Sequence, residues 1–437
     1  MQNINTLIHG STILTVNRGN DVLIDHTIAI KDGLIHNILP TESAKKIYEA
    51  QFEYNYREHI VFPGLINMHT HAAMSLFRGF ASDMPLMDWL QNHIWPAEQK
   101  WVNEEFIQVG TQLAIAEMLR GGVTCFNDMY FYAETTASEV TKSGMRAHIG
   151  MILLDFPTQY AKDVDEYFTK GLALHDQYKS HPLVKCTFAP HAPYTVSNQP
   201  LERVAVLANE LELPVHIHLH ETKDEITKSQ EQYDTRPIQR LNEIGLINSN
   251  LVAVHMTQLQ EDEMDLLAEN NANVVHCPQS NQKLASGFCQ TQKLADKNVN
   301  IVIGTDSCAS NDDLDMLSEM HCAALLAKAV ANDAAAFPAY EVLRSTTINA
   351  AKALGMDQEI GSIEIGKSAD LCVIDIDTIE AQPIYDPIGH LVYATQRNQV
   401  KDVWVAGKQL LSNRELLTMD QNEILAKTKT WNKKIVN

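Results

Sequence analysis

The chain has 437 residues, 45% hydrophobic and 20% charged, the composition of a globular protein with ample material for a core. Its 34 Lys+Arg against 55 Asp+Glu leave a formal charge of −21, which argues against nucleic-acid or anionic-membrane partners by simple repulsion. Less ordinary are 18 His beside 11 Arg, several of the His in tight clusters.

The opening stretch MQNINTLIHGSTILT has no basic segment, long apolar core or small-residue cleavage site, so it does not read as a signal peptide. No stretch approaches the ~20 apolar residues that cross a bilayer. Seven scattered Cys without a CxxC pair read as free thiols, mostly buried, in a reducing cytoplasm rather than as disulfides or a thiolate zinc site. Before residue 59, LIHGSTILTV, DHTIAIKDG and LIHNILP read as short strands between turn signals. The tail repeats the style in GSIEIGKSADLCVIDID and VKDVWVAGKQLL. Neither piece can bury a sheet core alone. The expectation is one composite β-sandwich domain, residues 1–59 and 365–437, beside a central domain, residues 60–364.

The centre repeats apolar β-rich segments eight times, at 61–71, 122–129, 145–152, 184–191, 214–220, 251–256, 272–278 and 298–306. Amphipathic stretches such as EEFIQVGTQLAIAEMLRGG lie between them. Nearly continuous apolar strands suit a sheet covered on both faces, and eight of them alternating with helices predict a (β/α)₈ barrel. A doubly wound open sheet is the alternative, but GxGxxG, GxxxxGK[ST] and GxSxG are all missing.

Almost every predicted strand ends in His or Asp: His69 and His71, His191, His218 and His220 with Glu221, His255, His276, and Asp306. A barrel gathers these ends on one face, where active sites are built. Side chains two apart on a strand share a face, about 6.6–7 Å apart at Cα, so His69 and His71 can close on one cation. His216, His218 and His220 share a face by the same period. His216 is the deepest and reads as a satisfied interior residue, His218 as the better third ligand, and His220 as the runner-up. The Asp306 carboxylate completes a set that suits Zn²⁺, with Fe²⁺ left open.

The segments PGLINMHTHAAMSLFRG (63–79), HAPYT (191–195), HIHLHET (216–222), HCPQSNQKLASG (276–287), GTDSCASNDDLDM (304–316) and GSIEIGKSADL (361–371) carry a resemblance over essentially the whole chain. The sequence resembles the amidohydrolase superfamily, and within it the 5′-methylthioadenosine/S-adenosylhomocysteine deaminase and chlorohydrolase branch. The resemblance implies one divalent metal held by His69, His71, His218 and Asp306. It implies Glu221 as proton shuttle, His255 as the group orienting the attacking water, and Asp306 as acceptor of its proton. It implies His191, Glu98 and Trp89 as substrate contacts, with Glu98 on the ribose hydroxyls and Trp89 in a loop covering the base. A binuclear site would need a carboxylated Lys at the end of strand four. The nearest, Lys185, comes six residues too early, so one metal is expected. Glu221→Gln should keep the metal and lose most turnover.

Members that accept S-adenosylhomocysteine commonly carry an Arg after strand three. From Gly150 to Lys170 there is none, and Lys162 is the only cation in GMILLDFPTQYAKD; Arg146, within strand three, is the one residue that could be repurposed. The expected substrate is therefore 5′-methylthioadenosine, with adenosine or S-adenosylhomocysteine as further candidates. The alternatives are a triazine-type aminohydrolase or chlorohydrolase, a guanine or cytosine deaminase, and a non-catalytic metal-binding barrel. A homo-oligomer, dimer or tetramer, is implied by resemblance alone.

Overall fold

The computed structural model describes residues 1–436. Eight parallel strands hydrogen-bond in sequential order: Leu65–Thr70, Val123–Asp128, Arg146–Leu153, Val184–Pro190, Val215–Leu219, Leu251–His255, Asn273–His276 and Asn300–Ile303, here strands one to eight. Each falls inside or within a residue of an expected segment. Nearly every strand residue is buried, which is why the sequence shows apolar runs without alternation. The ring closes where Asp306 N–H donates to His69 O at 2.9 Å and Thr305 N–H to Asn67 Oδ1 at 3.0 Å. A Cβ on Gly304 would lie 2.6 Å from His69 N, so glycine is what lets strands one and eight approach this closely.

Helices cover the outside of the barrel, several with side-chain caps. Asn103, Asp163, Thr222 and Asp315 each accept a backbone N–H in the first turn of the helix that follows, worth about 1 kcal/mol apiece.

Strand one is shorter than the 61–71 expectation because residues 61–63 belong to a second sheet. Tyr48–Pro63 is the spine of that sheet, parallel to Gln2–Leu14 on one side and antiparallel to Leu371–Asp375 on the other. Eight strands from the two ends of the chain therefore form one continuous sheet. It curls on itself: a Cβ on Gly33, between the second and third strands, would lie 2.7 Å from Ala406 O, in the turn near the opposite edge. Ile8, Ile28, Ile30, Val61, Leu371, Val373 and Trp404 fill the space enclosed. The final helix, Gln421–Val436, leaves the sheet and sets Trp431 edge-on against Phe106 of the helix Glu104–Arg120.

All seven Cys are free thiols, six of them buried. Among the described residues no helix is long and apolar enough to cross a membrane.

Candidate active site and metal centre

The C-terminal strand ends meet as expected. His69, at the end of strand one, is fully buried, and His71 follows just beyond the strand. Their ring centres are 4.8 Å apart, and Asp306 Oδ1 lies 3.2 and 3.3 Å from their Nε2 atoms. The His218 ring centre is 4.8 Å from that of His69. Ligand atoms of His69, His71 and Asp306, and of His69, His218 and His255, lie within 4.8 Å of one another. Backbone in the left-handed region at His220, His255, Met256 and Asp306 turns the chain away as it leaves strands five, six and eight. Such geometry is costly for residues with a Cβ and collects at functional sites.

Each proposed imidazole ligand uses Nδ1 for support and turns Nε2 inward. His71 Nδ1 is 2.5 Å from Met129 O, His218 Nδ1 2.6 Å from His191 O, and His69 Nδ1 2.9 Å from His216 Nε2. Among the described residues, buried His69 Nε2 has no hydrogen-bond partner. Burial holds His69 at about 4, and burial with neighbouring rings holds His218 well below the ordinary range, so both are neutral donors. His71 differs: burial lowers it, but Asp306 and the Met129 carbonyl outweigh burial and raise it. Burial also works against ionised Asp306, yet His69 and His71 outweigh it and hold the carboxyl well below the usual range. Three inward Nε2 atoms, that of His69 without a hydrogen-bond partner among the described residues, and one carboxylate fit a single divalent cation.

The same ring of residues opens into a cavity of about 600 Å³, with His71, His191, His218, Glu221, His255 and Asp306 at its floor. A concave, mostly apolar pocket with a few convergent polar groups is the usual form of a small-molecule site.

The amidohydrolase family model matches residues 60–410. The chain is 47% identical to a 5-methylthioadenosine/S-adenosylhomocysteine deaminase of Teredinibacter turnerae, covering 98% of this chain and 97% of that one. It is 49% identical to one so named from Saccharophagus degradans, over 94% and 93%. The chain belongs to the amidohydrolase family. An adenosine deaminase from Xanthomonas campestris with bound Zn superposes with a TM-score of 0.98 at 48% identity, covering 100% of this chain and 99% of that one. A zinc complex of an atrazine chlorohydrolase from Arthrobacter aurescens shares the fold at TM-score 0.91 and 22% identity, over 98% and 100%.

The remaining expected residues of this amidohydrolase line the same cavity. Glu221 is buried, accepts from Ser286 Oγ at 3.2 Å, and has Oε2 3.8 Å from His255 Nε2. Burial raises its pKa. His255 has Nδ1 2.8 Å from Asn281 Oδ1. His191 has Nδ1 3.0 Å from Thr195 Oγ1, and burial holds it at about 3, so it is neutral. Glu98 accepts from Tyr130 OH at 2.7 Å, and burial raises it to about 7. Trp89 is buried beside the cavity with no partner for its Nε1 among the described residues.

Three ambiguities in the sequence are resolved. His220 turns outward, its Nε2 accepting from Ile238 N–H at 3.1 Å and its Nδ1 lying 3.4 Å from Arg236. His216 is not the fully satisfied interior residue expected. It supports His69 through Nε2, while its Nδ1 is buried without a partner among the described residues. Arg146 is not available to substrate: it lies at the opposite end of strand three, bound to Asp370 at 2.8 Å and to Ser368 and Pro182 O.

Sequence reasoning missed the supports. Asp128 Oδ1 accepts from Thr70 Oγ1 at 2.8 Å and Ala72 N–H at 2.7 Å, bracing the segment that bears His71. Glu225 accepts the N–H groups of His220 at 2.9 Å and Glu221 at 2.7 Å. The spacing Thr222-x-x-Glu225 was a legible capping signal for Glu225. Nothing local marked Asp128.

Proposed function

We propose that this amidohydrolase is a zinc-dependent hydrolytic deaminase of purine ribonucleosides whose 5′ substituent is small and uncharged, 5′-methylthioadenosine foremost, giving 5′-methylthioinosine and ammonia. The observation that carries the reading is the layout of the cavity. The proton-handling groups and Glu98 line the same space, and among the described residues no Lys or Arg lines it. An acceptor for a diol and a wall including Trp95, Phe156 and Tyr132 suit a thioether better than an amino-acid tail. The relatives' names and the zinc in the Xanthomonas campestris protein support the same class.

His69, His71, His218 and Asp306 would hold the metal, which when bound makes water a competent nucleophile near neutral pH. Water adds to C6 of the purine, and Asp306 takes its proton. His255 directs Nε2 at the incoming oxygen. Glu221, kept protonated at higher pH by burial, gives its proton to N1, because a neutral amidine carbon is a poor electrophile. The C6–N bond then breaks: the amine takes the proton held by Asp306 and leaves as ammonia, and the remaining hydroxyl proton passes to Glu221 and restores it. Neutral His191 offers one more polar contact, and Trp89 covers the base.

The test is ammonia release from 5′-methylthioadenosine, adenosine, S-adenosylhomocysteine, guanine, cytosine and a chloro-triazine, with zinc content measured alongside. Turnover should be greatest for 5′-methylthioadenosine. Faster turnover of S-adenosylhomocysteine, or none of any adenosine, overturns the reading. Glu221→Gln should retain zinc and lose about 10²–10⁴ in kcat, the usual worth of a positioned acid.

A further inference from the structure

The segment after strand seven touches the two residues that move protons in the proposed reaction and the one that orients the water. The short helix Pro278–Lys283 lies between the ends of strands six and eight. Two adjacent residues on it reach in opposite directions. Ser280 Oγ donates to Asp306 Oδ2 at 2.6 Å, and Asn281 Oδ1 pairs with His255 Nδ1 at 2.8 Å. Just past the helix, Ser286 Oγ donates to Glu221 Oε1 at 3.2 Å. All three side chains are buried, Ser280 and Asn281 almost completely. Each bond selects one atom of its partner. Ser280 occupies Oδ2 of Asp306 and leaves Oδ1 toward His69 and His71. Asn281 accepts the Nδ1 proton of His255, which leaves Nε2 as the atom facing Glu221. Ser286 occupies one oxygen of Glu221 and leaves the other toward His255.

The segment is anchored from outside. Gln279 Nε2 donates to Ser318 Oγ at 2.7 Å, and Lys283 Nζ lies 2.6 Å from Asp312 Oδ2. Ser286 O accepts from Gln258 Nε2 at 2.7 Å and from Thr257 Oγ1 at 3.2 Å, and Thr257 Oγ1 also lies 2.6 Å from Glu221 O. Gly287 has φ +136, and a Cβ there would lie 2.5 Å from Gln258 Nε2, so only glycine leaves this anchorage intact. Side chains held at both ends lose little freedom when the reaction begins, which is how an outer layer of bonds tunes a metal site.

We propose that Ser280, Asn281 and Ser286 act as one positioning strap that sets, from a single segment, the working orientation of Asp306, His255 and Glu221. The inference rests on the proton roles assigned above, and its test separates the two. Ser286→Ala should lower kcat about 10- to 100-fold, the usual effect of losing such a support, with KM and zinc content unchanged, and Ser286→Thr should restore most of it. In a Glu221→Gln background the same Ser286→Ala change should have no further effect, because its partner's role is already gone. Asn281→Ala should likewise lower kcat rather than raise KM. Ser280→Ala should weaken zinc retention against a chelator about 10-fold, a readout that needs no substrate and therefore stands even if the substrate assignment falls. Wild-type kcat in Ser286→Ala with wild-type zinc retention in Ser280→Ala overturns the strap. So does an equal loss from Ser286→Ala with and without Glu221.

Discussion

Glu98 is pulled two ways. Burial favours its neutral form and raises it to about 7, while the Tyr130 hydroxyl donates to it at 2.7 Å and favours the anion. It accepts bonds from two ribose hydroxyls most strongly when ionised. An acid with a raised pKa is neutral below that pKa, so the anion is lost as pH falls through about 7. KM for a nucleoside should therefore rise as pH falls through neutrality, by about tenfold per unit once the acid is mostly protonated. Tyr130→Phe should move that rise to higher pH, and Glu98→Gln should remove it while raising KM throughout. The measurement is KM against pH for the three proteins. A wild-type KM that varies no more than that of Glu98→Gln would end the ribose assignment. Glu98 itself was visible only through its surrounding motif. The proposed ligands His69, His71, His218 and Asp306 could be found more directly, because ligand chemistry needs particular residue types and strand ends impose a period of two. Ser280, Asn281 and Ser286 could not. Hydroxyls and amides are common in loops, and their partners come from strands six, eight and five, so the contacts exist only after the ring has closed.

At the scale of elements, the eight strands were legible because a sheet covered on both faces leaves long apolar runs. Their limits were not. The run at 61–71 is continuous in hydrophobicity but divided in space, its first residues pairing in the terminal sheet with Leu371–Asp375 and its last pairing in the barrel. Hydrophobicity records burial, not which sheet provides it. Closure between strands one and eight depends on Gly304, whose missing side chain lets His69 N come within 2.6 Å of where a Cβ would stand. Gly304→Ala must push the His69 backbone away and with it Nε2. The expected result is weaker zinc retention together with lower kcat, read by chelator competition and by turnover at saturating zinc. Full retention with normal kcat would mean that the closing strands can separate without moving the metal ligands.

Across the whole molecule, the charge of −21 says little about the reaction, because the chemistry depends on a cavity whose described lining contains no Lys or Arg. The arginine within strand three serves another purpose. Arg146 is buried where the barrel meets the terminal sheet and forks onto Asp370, with Nε 2.8 Å from Oδ2 and a terminal nitrogen 3.2 Å from Oδ1. The same carboxylate accepts Ala406 N–H at 2.7 Å, in the turn between Val400–Val405 and Lys408–Ser412. One ion pair thus ties strand three to the ends of two neighbouring strands of the other sheet, Leu371–Asp375 and Val400–Val405. Replacing such a pair with well-packed apolar residues can be neutral, but removing one partner leaves a buried charge uncompensated, at about 3–5 kcal/mol. Arg146→Ala should lower the unfolding free energy by about that amount, measured by urea denaturation. Arg146→Lys should recover little, because an ammonium cannot reproduce the planar fork. Below the unfolding transition, kcat and the preference between 5′-methylthioadenosine and S-adenosylhomocysteine should stay those of the wild type, since the pair lies at the end of strand three away from the metal ligands. If Arg146→Ala instead keeps wild-type stability and changes that preference, Arg146 reaches the substrate after all, and the apolar reading of the cavity mouth fails with it.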